Sequence, residues 1–271
     1  MRGQLESVTP SPTDFDGSNA VVIGGSMAGL LAARVLSDHF ASVTILERDV
    51  VTDSPEVRKS QPHARHVHGL LARGLQVLEG YFPGLVEDLQ QHGAVVADMG
   101  EAMRWYTYGG YRVQAPTGLP GALLSRSLLE WQVRRRVLAL PNVRMIDQCE
   151  VESPVFDAGK ERVIGVQAAR RNLRAGVHFY RADLVVDAGG RNAATPRWLQ
   201  EAGYDHPVES AVRSNLGYAT RYYRRRPDDL QEGALLMVSA QGPDARRSAL
   251  VSPIEGDRWI VTLGGINGDH P

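Results

Sequence analysis

The chain has few of the features that mark secreted, membrane-spanning or nucleic-acid-binding proteins. Its 271 residues include one cysteine, Cys149, so no disulfide can form within the chain, and a cytoplasmic location is expected. The formal net charge is −1, which gives no global attraction to nucleic acid or to an anionic membrane. Its most apolar long stretch, residues 20–36, contains two adjacent glycines, a serine and Arg34, so no stable membrane insertion is expected.

What remains is the composition of an ordinary globular protein. Apolar residues make up 43% of the chain and charged residues 23%, and the length suffices for one large domain or two small ones. Residues 1–18 have no apolar core of the kind that a signal peptide needs, and they are predicted to form a flexible leader.

A glycine-rich turn between two apolar strands is the most informative segment. Val21-Val22-Ile23 leads into Gly24-Gly25-Ser26-Met27-Ala28-Gly29, and a second apolar strand ends on Glu47-Arg48. Gly24 is expected where the chain turns sharply, and Gly29 where a helix lies close to the sheet, while Ser26 replaces the usual second glycine. Glu47 follows Gly24 by 23 residues, near the ~20 expected for an acid that binds a ribose hydroxyl.

This pattern predicts a dinucleotide-binding βαβ unit. The backbone N–H groups at the start of the helix, with the positive end of its dipole, would face a pyrophosphate. The alternative is an ordinary βαβ unit with a tight turn. The helix is predicted over residues 27–39, with Met27, Leu31 and Val35 as its buried row.

Further elements follow from periodicity and turn residues. A helix is predicted over residues 126–140, with Leu129, Val133 and Val137 buried and with Ser127 and Glu130 as a capping box. Arg134, Arg135 and Arg136 are expected on its solvated face. The other predicted helices are 69–80, 84–92 and 196–202, and the predicted strands are 94–98, 103–107, 110–114, 143–146, 162–169, 176–181 and 183–187, with more strands after residue 208.

Several segments together resemble one family. They are GGSMAGL, LERD, RKSQPHARHVHGLL, Leu124–Glu130, ADLVVDAGGRNAATPRWL and Ser252–Trp259. In order and spacing they are similar to the flavin-dependent monooxygenases that include aromatic hydroxylases, squalene epoxidase and polyether epoxidases. The resemblance spans residues 20 to about 264. It implies an α/β fold, with a Rossmann-like FAD-binding βαβ domain and an interleaved β-sheet substrate region.

The resemblance also implies domains and cofactor contacts. Residues 19–93 and 123–205 would form the FAD-binding domain, and residues 94–122 and 206–271 the β-rich substrate region. Glu47 would bind the adenosine ribose, Arg126 would reach the pyrophosphate or ribitol region, and Val151 would contact adenine through its backbone. The full set of expected cofactor-binding residues is Gly24, Gly25, Ser26, Met27, Ala28, Gly29, Glu47, Arg48, Arg126, Val151 and Asp187.

Two departures from the family pattern stand out. Around Asp187, Gly189 takes the place of the aspartate that many members carry and that the epoxidase-like branch also lacks, and Ala193 takes the place of their serine. The third fingerprint of the family, a Gly-Asp before a proline-containing helix start, is also missing. The chain is therefore expected to be a fragment or a truncated gene product.

The implied reaction uses FAD, NADPH or NADH, and O2 to hydroxylate an aromatic ring or epoxidise an alkene of a small organic substrate. The resemblance names no catalytic residue and no metal, because the chemistry belongs mostly to the cofactor. The alternatives are another FAD oxidoreductase, such as a halogenase or a prenyl reductase, and a non-catalytic FAD-binding fragment. The halogenase W-x-W-x-I-P segment is absent, and the sequence is silent on oligomeric state.

Two clusters have competing interpretations. His63, His66 and His68 have a spacing that suits a metal site, but histidines beside a flavin are favoured because no acidic partner accompanies them. Trp105, Tyr106, Tyr108 and Tyr111 are candidate walls of a substrate pocket, with cross-strand packing as the alternative for at least half of them.

Overall fold

The computed structural model describes residues 17–171, 176–205, 207–230 and 235–271. Most of the predicted leader lies outside the described residues, and Gly17 and Ser18 belong to the first strand. The chain divides into two compact units. The first unit comprises the described residues up to Asp53 together with Val133–Glu209, and the second comprises Ser54–Gln132 and Ser210–Pro271.

Strands and helices follow one another along the described residues, with several runs of consecutive strands. In order they are β1 (Gly17–Ile23), α1 (Met27–Leu36), β2 (Phe40–Leu46), α2 (Ala72–Tyr81), α3 (Leu85–Gln91), β3 (Val95–Asp98), α4 (Met99–Ala102), β4 (Met103–Thr107), β5 (Gly110–Tyr111), β6 (Pro120–Leu123), α5 (Arg126–Leu138), β7 (Val143–Ile146), β8 (Cys149–Phe156), β9 (Val163–Arg170), β10 (Val177–Arg181), β11 (Leu184–Asp187), α6 (Thr195–Glu201), β12 (Gly217–Arg224), β13 (Leu235–Val238), β14 (Arg247–Ile254) and β15 (Arg258–Gly265). Single 3₁₀ turns occupy Pro62–Arg65 and Gly190–Asn192.

The first unit is built on a four-stranded parallel sheet in the order β11-β1-β2-β7. A second, antiparallel sheet runs β10-β9-β8. Apolar side chains from both sheets form one core, which consists of Val21, Leu46, Cys149, Val166, Ala168 and Ala182. Parallel strands covered in this way are typical of α/β folds, so the predicted fold class is confirmed.

Helix α1 buries a different row from the predicted one. Its buried residues are Gly29, Leu30 and Ala33, whereas Val35 is exposed, so the predicted row of Met27, Leu31 and Val35 is wrong. The reason is the third glycine of the motif. Because Gly29 makes the closest approach to the sheet, the row four residues apart through Gly29 and Ala33 must face inward.

The second unit contains a six-stranded sheet in the order β12-β15-β14-β13-β4-β5. The β13–β4 pair is parallel and the other neighbours are antiparallel. Strands β4 and β5 pair as a hairpin whose turn is formed by Tyr108 (φ +50°) and Gly109 (φ +80°), and β5 ends at Tyr111, three residues before the predicted end of that strand. Strands β3 and β6 form a separate antiparallel pair. The single-turn helix α4 is absent from the sequence prediction.

Helix α5 has the predicted buried row of Leu129, Val133 and Val137. Its start differs from the prediction, because the helix is capped by Ser125 rather than by Ser127. The Ser125 hydroxyl accepts a hydrogen bond from the Leu128 N–H at 3.1 Å. The expected capping box is therefore wrong by two residues. Arg134 is also buried instead of solvated, and its Nη2 donates to the Thr52 carbonyl at 2.7 Å.

The two units do not have the boundaries of the predicted functional regions. Residues 54–93 and 123–132 were expected in the FAD-binding domain but fall within the second unit by their contacts. The functional assignment of these segments stays a prediction. In the described part of the chain, no helix has both the length and the apolar character needed to cross a membrane.

Candidate functional site

The parallel strands of the first unit end at the same level. Ile23 pairs with Leu46 on one side and with Asp187 on the other, and Leu46 pairs with Ile146. The chain after each strand therefore emerges at one edge of the sheet, which is where open α/β sheets bind their ligands. The turn after β1 is fixed to its neighbour, because the Gly24 N–H donates to the Leu46 carbonyl at 2.8 Å.

Two positions in this turn, Gly24 and Gly29, have no room for a side chain, and a third, Gly25, is closely packed against side chains. Gly24 has φ +95°, and a Cβ there would lie 2.8 Å from the Ala188 carbonyl oxygen. A Cβ on Gly25 would lie 2.9 Å from the Met145 methyl carbon. A Cβ on Gly29 would lie 1.8 Å from the Gly24 carbonyl oxygen, so the helix can approach the turn only with glycine at this position.

Ser26 is compatible with the turn because its backbone is extended, with φ −93° and ψ −172°, a conformation open to any residue. It is the N-cap of α1, yet its side chain makes no capping hydrogen bond, and the first turn contains no acidic residue. Met27 and Ala28 begin the helix. Their N–H groups have no carbonyl four residues back within the helix, which is the arrangement that binds phosphate at helix starts.

Glu47 lies directly beside this turn. Its side chain is 4% exposed, and Oε2 accepts a hydrogen bond from the Gly25 N–H at 2.7 Å. Oε1 accepts from the Asp49 N–H at 2.8 Å. The carboxylate is thus held at the glycine turn by charge-assisted bonds, on the neighbouring strand, as the spacing in the sequence predicts.

Arg48 and Val151 occupy the region beyond Glu47. Arg48 is exposed in the bend after β2. Val151 lies in β8, half-buried against the core of the first unit, where the pairing with β9 shifts register before Ser153. The expected roles of Arg48 and Val151 in cofactor binding stay predictions.

Asp187 stabilises its own loop. Its Oδ1 accepts from the Gly189 N–H at 2.7 Å, and its Oδ2 accepts from the Thr195 hydroxyl at the start of α6. A Cβ on Gly189 would lie 2.8 Å from Oδ1, so glycine at this departure from the family pattern lets the loop close tightly. Its place at the strand edge beside Gly24 fits a ligand-binding loop, and the role in cofactor binding stays a prediction.

Arg126 belongs to a buried charge cluster in the second unit. Glu130, one helical turn later, lies 3.0 Å from Arg126 Nη1 and also forms an ion pair with Arg58. The Gln61 amide donates to both Glu130 oxygens, at 3.1 and 3.2 Å. Burial lowers the pKa of Arg126, and the charge of Glu130 acts in the opposite direction.

The roles of Arg58, Gln61 and Glu130 were not predicted from the sequence. The i, i+4 spacing of Arg126 and Glu130 was the one available signal. Arg58 and Gln61 come from a loop about 70 residues earlier, and their approach to Glu130 depends on tertiary structure.

Two of the three histidines, His66 and His68, make polar side-chain contacts within the second unit, and the His63 ring lies 5.8 Å from the ring of His68, measured between ring centres. His66 Nδ1 is 2.8 Å from the Thr220 hydroxyl, which is itself 2.7 Å from the Thr262 hydroxyl. His68 Nδ1 is 3.0 Å from the His66 carbonyl, and burial lowers the pKa of His68. The described residues contain no group of three or more His, Cys, Asp or Glu that could hold a metal ion.

The aromatic residues of the β4–β5 hairpin pack mainly across strands. Tyr106 and Tyr111 meet edge-on with their ring centres 5.3 Å apart, and the Trp105 indole donates to the Ser239 hydroxyl at 2.7 Å. Tyr108 is 84% exposed. These contacts support cross-strand packing, and a role as substrate walls stays a prediction.

Comparison with known proteins identifies the fold. No protein-family model matches the chain. The chain is 35% identical over 260 residues to Protein Rv3254 of Mycobacterium tuberculosis (strain ATCC 25618 / H37Rv), an alignment that covers 93% of this chain and 54% of that protein. The chain thus spans about half the length of this relative.

Solved structures of flavin enzymes share the same architecture. p-Nitrophenol 4-monooxygenase PnpA from Pseudomonas putida DLL-E4 superimposes with a TM-score of 0.66 at 20% identity, covering 94% of this chain and 59% of that one. The flavin-dependent brominase Bmp2 gives a TM-score of 0.61 at 16% identity, covering 93% and 56%. The chain therefore has the fold of the FAD-dependent monooxygenases.

Proposed function

We propose that this chain is the FAD-binding and substrate-binding part of a flavin-dependent monooxygenase. The enzyme would use NADPH or NADH with O2 to hydroxylate an aromatic ring or epoxidise an alkene of a small organic substrate. The observation that carries the proposal is the glycine turn after β1, which admits no side chain at Gly24 or Gly29 and has the Glu47 carboxylate hydrogen-bonded to the Gly25 N–H. This turn also carries the motif that marks dinucleotide sites.

The residues of the first unit fit the adenosine diphosphate part of FAD. The helix start at Ser26–Gly29 would offer N–H groups to the diphosphate, and Glu47 would accept a hydrogen bond from a ribose hydroxyl. Arg48, Val151 and Asp187 would add contacts around this core. In the second unit, Arg126 would contribute a guanidinium to the diphosphate or ribitol, because such groups bind phosphate through two parallel hydrogen bonds.

When bound, FAD supplies the redox chemistry, in which NAD(P)H is oxidised and one atom of O2 is transferred to the substrate. The chain itself has to bind and orient the cofactor and exclude water. We assign residues 19–93 and 123–205 to cofactor binding and residues 94–122 and 206–271 to substrate binding. We infer a small-molecule substrate and a cytoplasmic location, the latter from the single, buried Cys149.

A second candidate is a flavin-dependent halogenase or another FAD oxidoreductase on this fold. The observation that favours it is the brominase Bmp2, whose likeness to this chain is close to that of the monooxygenase PnpA.

Three measurements on the purified chain separate these candidates. An FAD titration followed by flavin absorbance and thermal stability tests cofactor binding. NADPH and NADH oxidation with a panel of phenols and alkenes, followed by mass spectrometry, tests for insertion of one oxygen atom. The same reactions with added bromide or chloride test for halogenation. A chain that is not stabilised by FAD at any concentration contradicts the proposal.

The Glu47→Gln variant tests the ribose assignment directly. Glutamine keeps the size of the side chain but replaces a charged acceptor with a neutral amide, so FAD affinity is expected to fall about 10- to 100-fold. Glu150→Gln is the matched control, because Glu150 is exposed on β8 and pairs with Arg171. Equal FAD affinity in the two variants, measured by isothermal titration calorimetry, would remove Glu47 from the site.

A further inference from the structure

Two cavities of the second unit meet at the end of β12. One has a volume of about 440 Å³, and its lining includes Arg224, Arg225, Arg226, Asp257 and Trp259. The other has a volume of about 490 Å³, shares Arg224, Arg226 and Trp259, and adds Tyr223, Val251 and Val261. Volumes of this size are those of small-molecule sites.

The second cavity lies on the opposite face of the sheet from the histidine loop. His66 contacts Thr220, and the Val67 N–H donates to Thr262, so the face of Thr220 and Thr262 is covered by this loop. Side chains alternate along a strand, and Trp259 and Val261 therefore point the other way. The site is thus distinct from the segment expected to lie beside the flavin.

One wall of the cavities is strongly basic. Arg224, Arg225 and Arg226 are consecutive, and the guanidinium of Arg225 lies 5.8 Å from the ring centre of Trp259. Nη1 of Arg225 is buried, and no group in the described ranges accepts a hydrogen bond from it. A buried donor of this kind costs stability unless an acceptor satisfies it, so the cavity has a defined position for an anionic oxygen.

Two carboxylates, those of Asp229 and Asp257, border the same cavities, and neither prevents the arginines from binding an anion. Asp229 is occupied, because it accepts from the Trp259 indole at 3.0 Å and from the Arg226 N–H at 2.9 Å. These hydrogen bonds lower the pKa of Asp229, and they fix the orientation of the indole. Asp257 is 85% exposed and lies 3.6 Å from Arg225 Nη2, a distance at which solvent weakens the pair. Three cations therefore face two anions.

The other lining residues of the second cavity are largely apolar. Val251, Val261 and Leu230 line it together with the ring of Trp259. We propose that this site binds an organic anion, with its carboxylate or other oxyanion on Arg225 and an aromatic or similarly apolar body against Trp259 and the two valines. The site lies within residues 206–271, which the proposed function assigns to substrate binding, but it uses no residue assigned to FAD binding, so its test on the FAD-free chain is independent of the cofactor site.

The test measures ligand binding to the FAD-free chain by isothermal titration calorimetry. The probe is 2-naphthoate, with naphthalene-2-carboxamide as its neutral counterpart and acetate as the anion without the apolar body. Saturable binding of 2-naphthoate is expected, and both comparison ligands should bind at least about tenfold more weakly, because each lacks one half of the recognised chemistry.

Variants locate the site. Arg225→Gln should weaken 2-naphthoate binding about tenfold or more. Arg221→Gln, in β12 four residues before Arg225 and outside the cavity lining, should leave binding unchanged. Asp257→Asn removes the competing carboxylate, and because Asp257 is exposed the variant should fold and bind 2-naphthoate at least as tightly as the native chain.

Three results overturn the proposal. The first is equal binding of the carboxylate and the carboxamide, or the absence of binding to the native chain. The second is an equal effect of Arg221→Gln and Arg225→Gln. The third is weaker binding by Asp257→Asn, which remains informative even when Arg225→Gln does not fold.

Discussion

Replacement of Gly29 by alanine tests the geometry on which the cofactor site depends. The added Cβ would lie 1.8 Å from the Gly24 carbonyl oxygen and 3.3 Å from a methyl carbon of Val22, whereas real Cβ atoms essentially never approach closer than 3.0 Å. The atom in the way belongs to the backbone. The clash cannot be relieved by a side-chain rotation, so α1 or the turn must move by about an ångström.

The expected cost lies at the upper end of the range for overpacked positions, about 3 kcal/mol of unfolding free energy. In a chain of this size that corresponds to a fall in Tm of roughly 6–12 °C. A displaced turn also moves the N–H groups of the helix start, so FAD affinity should fall about 100-fold or more.

Gly80→Ala is the matched control. Gly80 lies within helix α2, and a Cβ there meets nothing within 4 Å. Alanine is the better helix former, so this variant should gain about 0.5–1 kcal/mol and keep the native FAD affinity. Calorimetric melting and FAD titration of both variants provide the measurement. A Gly29→Ala chain as stable as the native one would refute the close helix–turn contact.

Three further predictions concern charged groups and a helix cap of the second unit. Glu130→Gln leaves two buried arginines without their carboxylate and should lower the free energy of unfolding in urea by about 3–5 kcal/mol. The control Glu201→Gln, at an exposed ion pair, should leave that free energy almost unchanged, and equal losses in the two variants would contradict the buried cluster. Ser125→Ala should cost about 1 kcal/mol, while Ser127→Ala should be nearly neutral, and the reverse order would restore the capping box expected from the sequence. Asp98 accepts hydrogen bonds from Thr117, Gly118 and Gly100, and its pKa is lowered chiefly by the Thr117 hydroxyl. Its contribution to stability is therefore complete above its ordinary pKa of 3.8 and is lost as the pH falls below that value. The Tm values of the native chain and of Asp98→Asn should converge on acidification, and a constant difference between them would count against these hydrogen bonds.

The first βαβ unit could be predicted from the sequence because its determinants are local. Gly24 needs a positive φ, Gly29 needs close helix packing, and Glu47 needs a strand of the right length before it, and all three requirements are met within 24 residues. The same holds for the strand of residues 143–146 and for the buried row of α5, where periodicity alone determines the face.

The parts that were missed depend on contacts between distant residues. The inward face of α1 is chosen by the approach of Gly29 to the Gly24 carbonyl, which overrides the larger apolar side chains of Leu31 and Val35. Arg58 and Gln61 reach Glu130 across about 70 residues of sequence, and no local pattern records that approach. Arg134 was placed in solvent because its partner is a backbone carbonyl, which has no signature in the sequence.

The extended backbone of Ser26 has a consequence for how such chains are recognised. Signatures written as three spaced glycines treat all three as equivalent, although the middle one here tolerates a hydroxymethyl group and Gly24 and Gly29 do not. A library that randomises this turn and is selected for folded protein should therefore contain many residue types at position 26 and almost only glycine at positions 24 and 29. Searches that weight each position by the space available to a β-carbon would recover divergent flavoproteins that letter-based signatures overlook.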